Sequence, residues 1–268
     1  MTIPDMETVM RPFIGVVLGL LLNLSVAEAK PTFEKTGEIK ISRVDFKIDG
    51  DNLVASFRAT RWGMYDLTYE GASDSQIEVT LNGQKPVEEP SLVQGHLGKF
   101  YIKKAGPCSI QLSGTAPGVK VLRLAPACEG SPVVQEGGQA IELDARNCRI
   151  SGVMLRYEPN PKKLCIGFWG NPDDYPVWNY AVATAGKYEV VLTQGCGRGA
   201  GGSRAVLETA GTSLEFTVKD TGGYQNWIDV SLGEVDIAKP GDQELTVKVL
   251  KKARGIMDIR RIVLKPVR

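Results

Sequence analysis

Apolar and polar residues alternate with a period of two along most of this chain. Leu53, Ala55 and Phe57 share one face, as do Tyr65, Leu67 and Tyr69, then Ile77, Val79 and Leu81. The spacing returns at Tyr188, Val190 and Leu192, at Leu214, Phe216 and Val218, and at Leu245, Val247 and Val249. Successive side chains of an extended backbone point to opposite faces, so this pattern predicts half-buried antiparallel strands. Turn pairs separate the runs: Asp49-Gly50, Asn82-Gly83, Ala210-Gly211 and Gly222-Gly223. No stretch beyond residue 29 sustains a helical period. Many short strands with frequent turns predict an all-β chain built as sandwiches.

The pattern occurs twice. Gly63-Met64-Tyr65-Asp66-Leu67 has the layout of Gly186-Lys187-Tyr188-Glu189-Val190, and Leu97-Gly98 that of Leu232-Gly233. Leu122-Arg123-Leu124-Ala125-Pro126 corresponds to Ile262-Val263-Leu264-Lys265-Pro266. The offsets grow from 123 to 135 to 140, so the second copy carries insertions. The pattern lapses at Cys128-Glu129-Gly130-Ser131-Pro132, which places a boundary there. The expected organisation is a leader over 1–29, a first, divergent sandwich over 30–130 and a second over 131–268.

The leader reading rests on Arg11, the apolar run Pro12 to Leu22, and Ala27-Glu28-Ala29, the order of a basic region, an apolar region and a cleavage site. The apolar run is short for a membrane span, which needs about 20 residues. The expectation is therefore an exported, periplasmic or extracellular chain with no membrane span after cleavage. Removing residues 1–29 leaves 31 basic and 28 acidic residues, a net charge of +3. Bulk charge of that size calls for no polyanion, so no nucleic acid is expected, and acidic glycans would need local patches.

An exported chain can form disulfides. The five cysteines, Cys108, Cys128, Cys148, Cys165 and Cys196, are odd in number and form no Cys-x-x-Cys. Bridges Cys108–Cys128 and Cys148–Cys165 stand as alternatives to buried free thiols. The lone histidine, His96, has no G-x-S-x-G companion and reads as a surface or turn residue. With no catalytic set visible, the chain reads as a binding protein and not an enzyme.

The richest segment runs from Ile166 to Trp178 and holds Trp169, Asp173, Asp174, Tyr175 and Trp178 around Pro172. Indole faces stack on the apolar faces of sugar rings, and carboxylates take their hydroxyls, so Trp169, Asp173 and Asp174 are candidate ligand contacts. The other reading makes the tryptophans core and the aspartates turn formers. Gln194 precedes and Arg198 lies within the glycine-rich stretch Gly195 to Ser203, which lacks the Gly-Lys-Ser/Thr of a phosphate loop. They could contact hydroxyls, carboxylate or sulfate. Tyr224, Gln225 and Asn226 form a third candidate cluster before Trp227, while Trp62 reads as packing or a degenerate site.

The stretch from about Gln139 to Pro266 resembles galactose-binding-like jelly-roll carbohydrate-binding modules, of the kind appended to secreted bacterial arylsulfatases and alpha-L-fucosidases. The resemblance is carried by Ile166-Gly167-Phe168-Trp169 with Asp174 and Trp178, by Gln194-Gly195-Cys196-Gly197 with Gly201-Gly202-Ser203, and by Met257-Asp258-Ile259-Arg260 through Lys265-Pro266. The first half matches weakly and lacks both loops. The resemblance implies two tandem jelly rolls and non-catalytic recognition of a polysaccharide or glycan, with a secreted enzyme as a partner. No cofactor is required. Related modules hold a structural calcium, for which Glu142, Asp144 and Asp258 are the oxygen donors at hand. The alternatives are a structural or protein-interaction module with no glycan ligand, or a fragment or accessory of a sulfatase or glycoside hydrolase.

Overall fold

A computed structural model describes residues 31–72, 77–91, 95–114 and 118–267. The leader over 1–29 lies outside the described residues. The first half holds β1 (Thr32–Phe33), β2 (Ile39–Ser42), β3 (Lys47–Asp49), β4 (Asn52–Ala59), β5 (Gly63–Gly71), β6 (Ile77–Leu81), β7 (His96–Ile102), β8 (Gly106–Gly114) and β9 (Val119–Pro126). The second holds β10 (Val133–Val134), β11 (Ile141–Asp144), β12 (Cys148–Ser151), β13 (Arg156–Glu158), β14 (Cys165–Gly167), β15 (Tyr175–Val182), β16 (Gly186–Cys196), β17 (Arg204–Thr209), β18 (Thr212–Thr217), β19 (Gly223–Ile237), β20 (Gly241–Lys251) and β21 (Asp258–Pro266).

The strands form four sheets, ordered β1-β2-β9-β5-β7, β3-β4-β8-β6, β13-β14-β21-β16-β19 with β11 on β21, and β10-β15-β20-β17-β18 with β12 on β15. Chain order runs back and forth between the two sheets of each half. In both halves the last strand is the middle of its sheet, β9 between β2 and β5 and β21 between β14 and β16. That wrapping is a jelly roll, and it puts non-consecutive strands side by side as a Greek key requires.

Alternation decides the packing. Leu53, Ala55, Phe57 and Ala59 of β4 face a first apolar cluster with Tyr65 and Leu67 of β5 and Ile110 and Leu112 of β8. Tyr188, Val190 and Leu192 of β16 face a second with Trp178, Leu245, Val247 and Leu264. Asn82 and Gly83 both take positive φ, 50° and 73°, as do Ala210 and Gly211, 48° and 75°, which matches the twist of tight hairpins. All five cysteines carry free thiols, and four are buried. Neither Cys108–Cys128 nor Cys148–Cys165 is bridged. Cys108 sits in the first cluster and Cys148 in the second.

The two halves meet through a small, specific seam. The amide of Gly152 donates to the carbonyl of Thr36 at 2.8 Å. The Trp62 indole donates to the carbonyl of Tyr157 at 3.1 Å. The Arg156 guanidinium lies 4.2 Å from the Trp62 ring centre and 4.4 Å from that of Phe168, so it is clamped between a residue of each half. The two rings meet edge to face at 5.2 Å. Such a buried cation over two rings is worth about 2 kcal/mol. Beside it Arg61 is only 3% exposed, with Nε and Nη2 unbonded among the described residues.

Trp62→Ala removes one ring of the clamp and one hydrogen bond across the seam. The expected outcome is a loss of about 1–3 kcal/mol of coupling. Calorimetry should resolve two transitions in the variant where the parent shows closer coupling; an unshifted profile would contradict the clamp.

Candidate functional site

The loops at one end of the second sandwich enclose a pocket of about 490 Å³. β13 and β14 are a short hairpin, and the turn between them is fixed by Asn160, whose side chain accepts from the amide of Lys162 at 3.0 Å. The hairpin delivers Glu158 and Lys163 to the pocket. After β14 the chain makes a left-handed step at Phe168, φ 59°. That step costs energy for a residue with a side chain and persists only where the surroundings enforce it. It turns Phe168 outward, 48% exposed, and Trp169 inward, 5% exposed. Tyr224 and Gln225 come from the start of β19, and Met257 and Asp258 from the start of β21.

One buried carboxylate holds this end together. Asp174 is fully buried, and its oxygens accept from the amides of Val153, Met154 and Leu155 at 3.1, 2.7 and 2.8 Å and from Asn171 Nδ2 at 2.7 Å. Its own carbonyl accepts the Trp169 indole at 2.8 Å. Gly152 lies so close that a Cβ there would stand 2.3 Å from the Asp174 side chain. On the other wall Gly197 makes room for the Tyr224 ring, 2.7 Å from where a Cβ would be.

Beneath the rim lie Glu158, Cys165 and Asp258, each buried, with one donor atom apiece within 4.8 Å of the others. Lys163 Nζ binds Glu158 at 2.5 Å, and Gln225 Nε2 reaches Asp258 Oδ2 at 3.4 Å. Burial, and then the neighbouring Glu158, push the Asp258 carboxyl up to about 7. Burial also pushes the Cys165 thiol well up, so it stays protonated at neutral pH. These three donors are where a divalent ion could sit, but the positive charge beside Glu158 is already supplied by Lys163. The pocket thus offers two aromatic rings, Phe168 and Tyr224, against a wall of Trp169, with Lys163 and Gln225 as donors and a buried acid pair as acceptors.

The structure sorts the sequence-predicted residues. Tyr224 and Gln225 line the pocket, and Trp169 is its back wall rather than an exposed platform. Asp174 is a structural acceptor with no oxygen to spare for a ligand. Gln194 is fully buried, its Nε2 bound to the Lys219 carbonyl at 2.9 Å, so it also leaves the candidate set. Asp173 and Arg198 are exposed away from the pocket, and Asn226 is tied to the Thr221 carbonyl at 3.0 Å. The calcium set does not converge. β11 pairs with the middle of β21, setting Glu142 opposite Val263 and Asp144 opposite Arg261, while Asp258 stands at the far end with Glu158 and Cys165. Sequence reasoning missed Glu158, Lys163 and Phe168. Only the step at Phe168 had a sequence signal, two adjacent large aromatics that cannot share one face of a strand.

His96 begins β7, its Nε2 2.7 Å from Asp66 and its Nδ1 accepting from the Ser91 amide at 2.6 Å, so both ring nitrogens are engaged.

No family model and no curated protein matches the chain. The solved structures it is similar to include carbohydrate-binding modules. The C-terminal CBM6 of LamC, a laminarinase from Zobellia galactanivorans, is 21% identical over 47% of this chain and 98% of its own, TM-score 0.37. A family 35 carbohydrate-binding module from Clostridium thermocellum is 13% identical over 46% and 97%, TM-score 0.40. The alpha-L-fucosidase from Vibrio sp. strain EJY3 aligns over 88% of this chain, which spans 39% of that enzyme, at 12% identity and TM-score 0.34.

Two outcomes test the site's physics. Asp174→Ala leaves three backbone amides without acceptors and should cost about 3–5 kcal/mol in denaturant unfolding. Asp258 binds its proton more tightly folded than unfolded, so it stabilises the fold at acid pH and that contribution is lost as pH rises from about 4 to about 7. Asp258→Asn should therefore flatten the fall in thermal midpoint over that window and stabilise the protein at pH 8 by on the order of 1–3 kcal/mol.

Proposed function

We propose that this chain is an exported, non-catalytic carbohydrate-binding protein whose loop pocket in the second sandwich takes a sugar. The observation that carries this is the outward turn at Phe168, which sets an exposed ring near the exposed Tyr224, above a buried set of hydrogen-bonding groups. A sugar presents the matching surfaces, an apolar ring face and a rim of hydroxyls. Lys163 and Gln225 donate, and Asp258 accepts or donates according to its proton. Export rests on the leader reading of residues 1–29, and a secreted enzyme remains the proposed partner.

The acid pair supports binding over hydrolysis. Glu158 and Asp258 each offer an oxygen within 4.8 Å of the other. Both are buried below the rim, and one is held by Lys163.

Binding to an array of neutral, fucosylated and sulfated polysaccharides tests the reading. Tyr224→Ala and Phe168→Ala should each lower affinity for the bound neutral glycan about tenfold or more, a loss of about 1.4 kcal/mol. Trp169→Ala should weaken binding and also lower the thermal midpoint, because Trp169 is wall and core together. If folded protein binds nothing on the array, a protein-interaction role takes over.

A further inference from the structure

The outer face of the sheet β13-β14-β21-β16-β19 carries a second cleft, about 670 Å³, built from residues outside the loop pocket. Its base is a row across four strands. Asp229 of β19 pairs with Thr193 of β16, Thr193 with Arg261 of β21, and Arg261 with Asp144 of β11. Trp227 stands two residues from Asp229 on the same strand, and a bulge sets the chemistry. Thr193 pairs with Arg261 but its neighbour Gln194 pairs with Ile259, so Arg260 is an extra residue without a partner on β16. An extra residue breaks the strict alternation of faces, and Arg260 and Arg261 both line the cleft. Arg260 reaches over the Trp227 ring, 5.7 Å from its centre. Arg146 and Tyr157 close the side nearest the first half.

The arginines of this cleft make no salt bridge among the described residues. Arg123, Arg149 and Arg204, on other faces, each hold a glutamate. Among the described residues Arg146, Arg260 and Arg261 hold no carboxylate, and Asp229 is occupied by the Thr193 hydroxyl at 2.6 Å. Three exposed guanidiniums with no salt bridge among the described residues are donors for an anion, and guanidinium meets carboxylate or sulfate in a two-pronged geometry. The indole and the tyrosine ring add apolar walls. Asp144 and Asp229 lie in the same row, which suits hydroxyls and disfavours the closely spaced phosphates of a nucleic acid.

We propose that this sheet face is a second binding site, for an acidic saccharide whose carboxylate or sulfate ester is held by Arg260 and Arg261 with Arg146. It stands on different residues from the loop pocket and does not depend on that reading. The bulge at Arg260 is the device that makes it, since a regular strand would turn one of the two arginines away.

Calorimetric titration of the whole protein with an oligogalacturonate, a sulfated galactan oligosaccharide, a neutral glucan oligosaccharide and a single-stranded oligonucleotide tests the site. One or both acidic sugars should bind, and which one tells carboxylate from sulfate. Arg260→Gln with Arg261→Gln should weaken that binding at least tenfold and flatten its dependence on salt, with an unchanged thermal midpoint. Trp227→Ala should weaken it too, and Tyr224→Ala should leave it unchanged. Failure of both acidic sugars to bind folded protein, no effect of the double arginine variant, or equal affinity for the oligonucleotide would each overturn the proposal. Loss of neutral-glycan binding alone would instead fault the loop pocket.

Discussion

The carboxylate of Asp174 sits where no water reaches it, and four donors converge on it. A buried charge is tolerable only with such a set of partners, and here most of them are consecutive backbone amides. Their convergence fixes the path of residues 152–155, and with it the start of β13. The same residue's carbonyl pins Trp169, which fixes the far side of the left-handed step at Phe168. The exposed ring of the pocket, its wall and one hairpin that supplies its polar floor thus inherit their positions from one side chain. Gly152 completes the arrangement because any side chain there would fill the space the carboxylate needs.

The seam between the two halves hangs from the same point. Arg156 follows the capped segment directly, and its guanidinium lies between Phe168 and Trp62. Phe168 therefore has two employments: it steadies the junction through Arg156 and Trp62, and its exposed part lines the pocket beside Lys163, whose Nζ lies 5.9 Å from its ring centre. The first sandwich, which lacks both the aromatic loop and the glycine-rich loop, still contributes Trp62 to the rigidity of the pocket. Burial lowers the affinity of the Arg156 guanidinium for its proton, but a guanidinium starts so high that it stays charged across the physiological range. The clamp is accordingly insensitive to pH, unlike the acid pair a few ångströms away.

The alternation of Leu53, Ala55 and Phe57 or of Tyr188, Val190 and Leu192 was readable because each strand keeps one face in a core, and a jelly roll places all its long strands that way. What the pattern could not reveal lies where the period of two breaks. At Phe168 a positive φ exchanges the faces of two adjacent aromatics, so the ring expected outside is inside. Between Thr193 and Gln194 the register shifts, and the glutamine expected at a rim is in the core. Glu158, Cys165 and Asp258 come together from a hairpin and a strand, Cys165 and Asp258 being 93 residues apart, a pairing that no local spacing announces. Glu142 and Asp144 stand apart from Asp258 for a related reason: β11 pairs with the middle of β21, opposite Val263 and Arg261, while Asp258 begins that strand.

These breaks in periodicity are also where the binding chemistry collects. A regular strand gives a sheet face identical spacing and commits every second residue to the core. Irregular steps let neighbouring residues serve different surfaces. Along β19, Tyr224 and Gln225 face the loop pocket, while Trp227 and Asp229 face the sheet cleft. Along β21, Asp258 serves the first and the bulged Arg260 and Arg261 the second. The hairpin divides likewise, with Glu158 inward and Tyr157 on the sheet side. The two surfaces share a rigid sheet edge but no side chains, so a ligand on one need not disturb the other. The fold supplies that edge through its inter-sheet packing, and the local irregularities decide which chemistry each side presents.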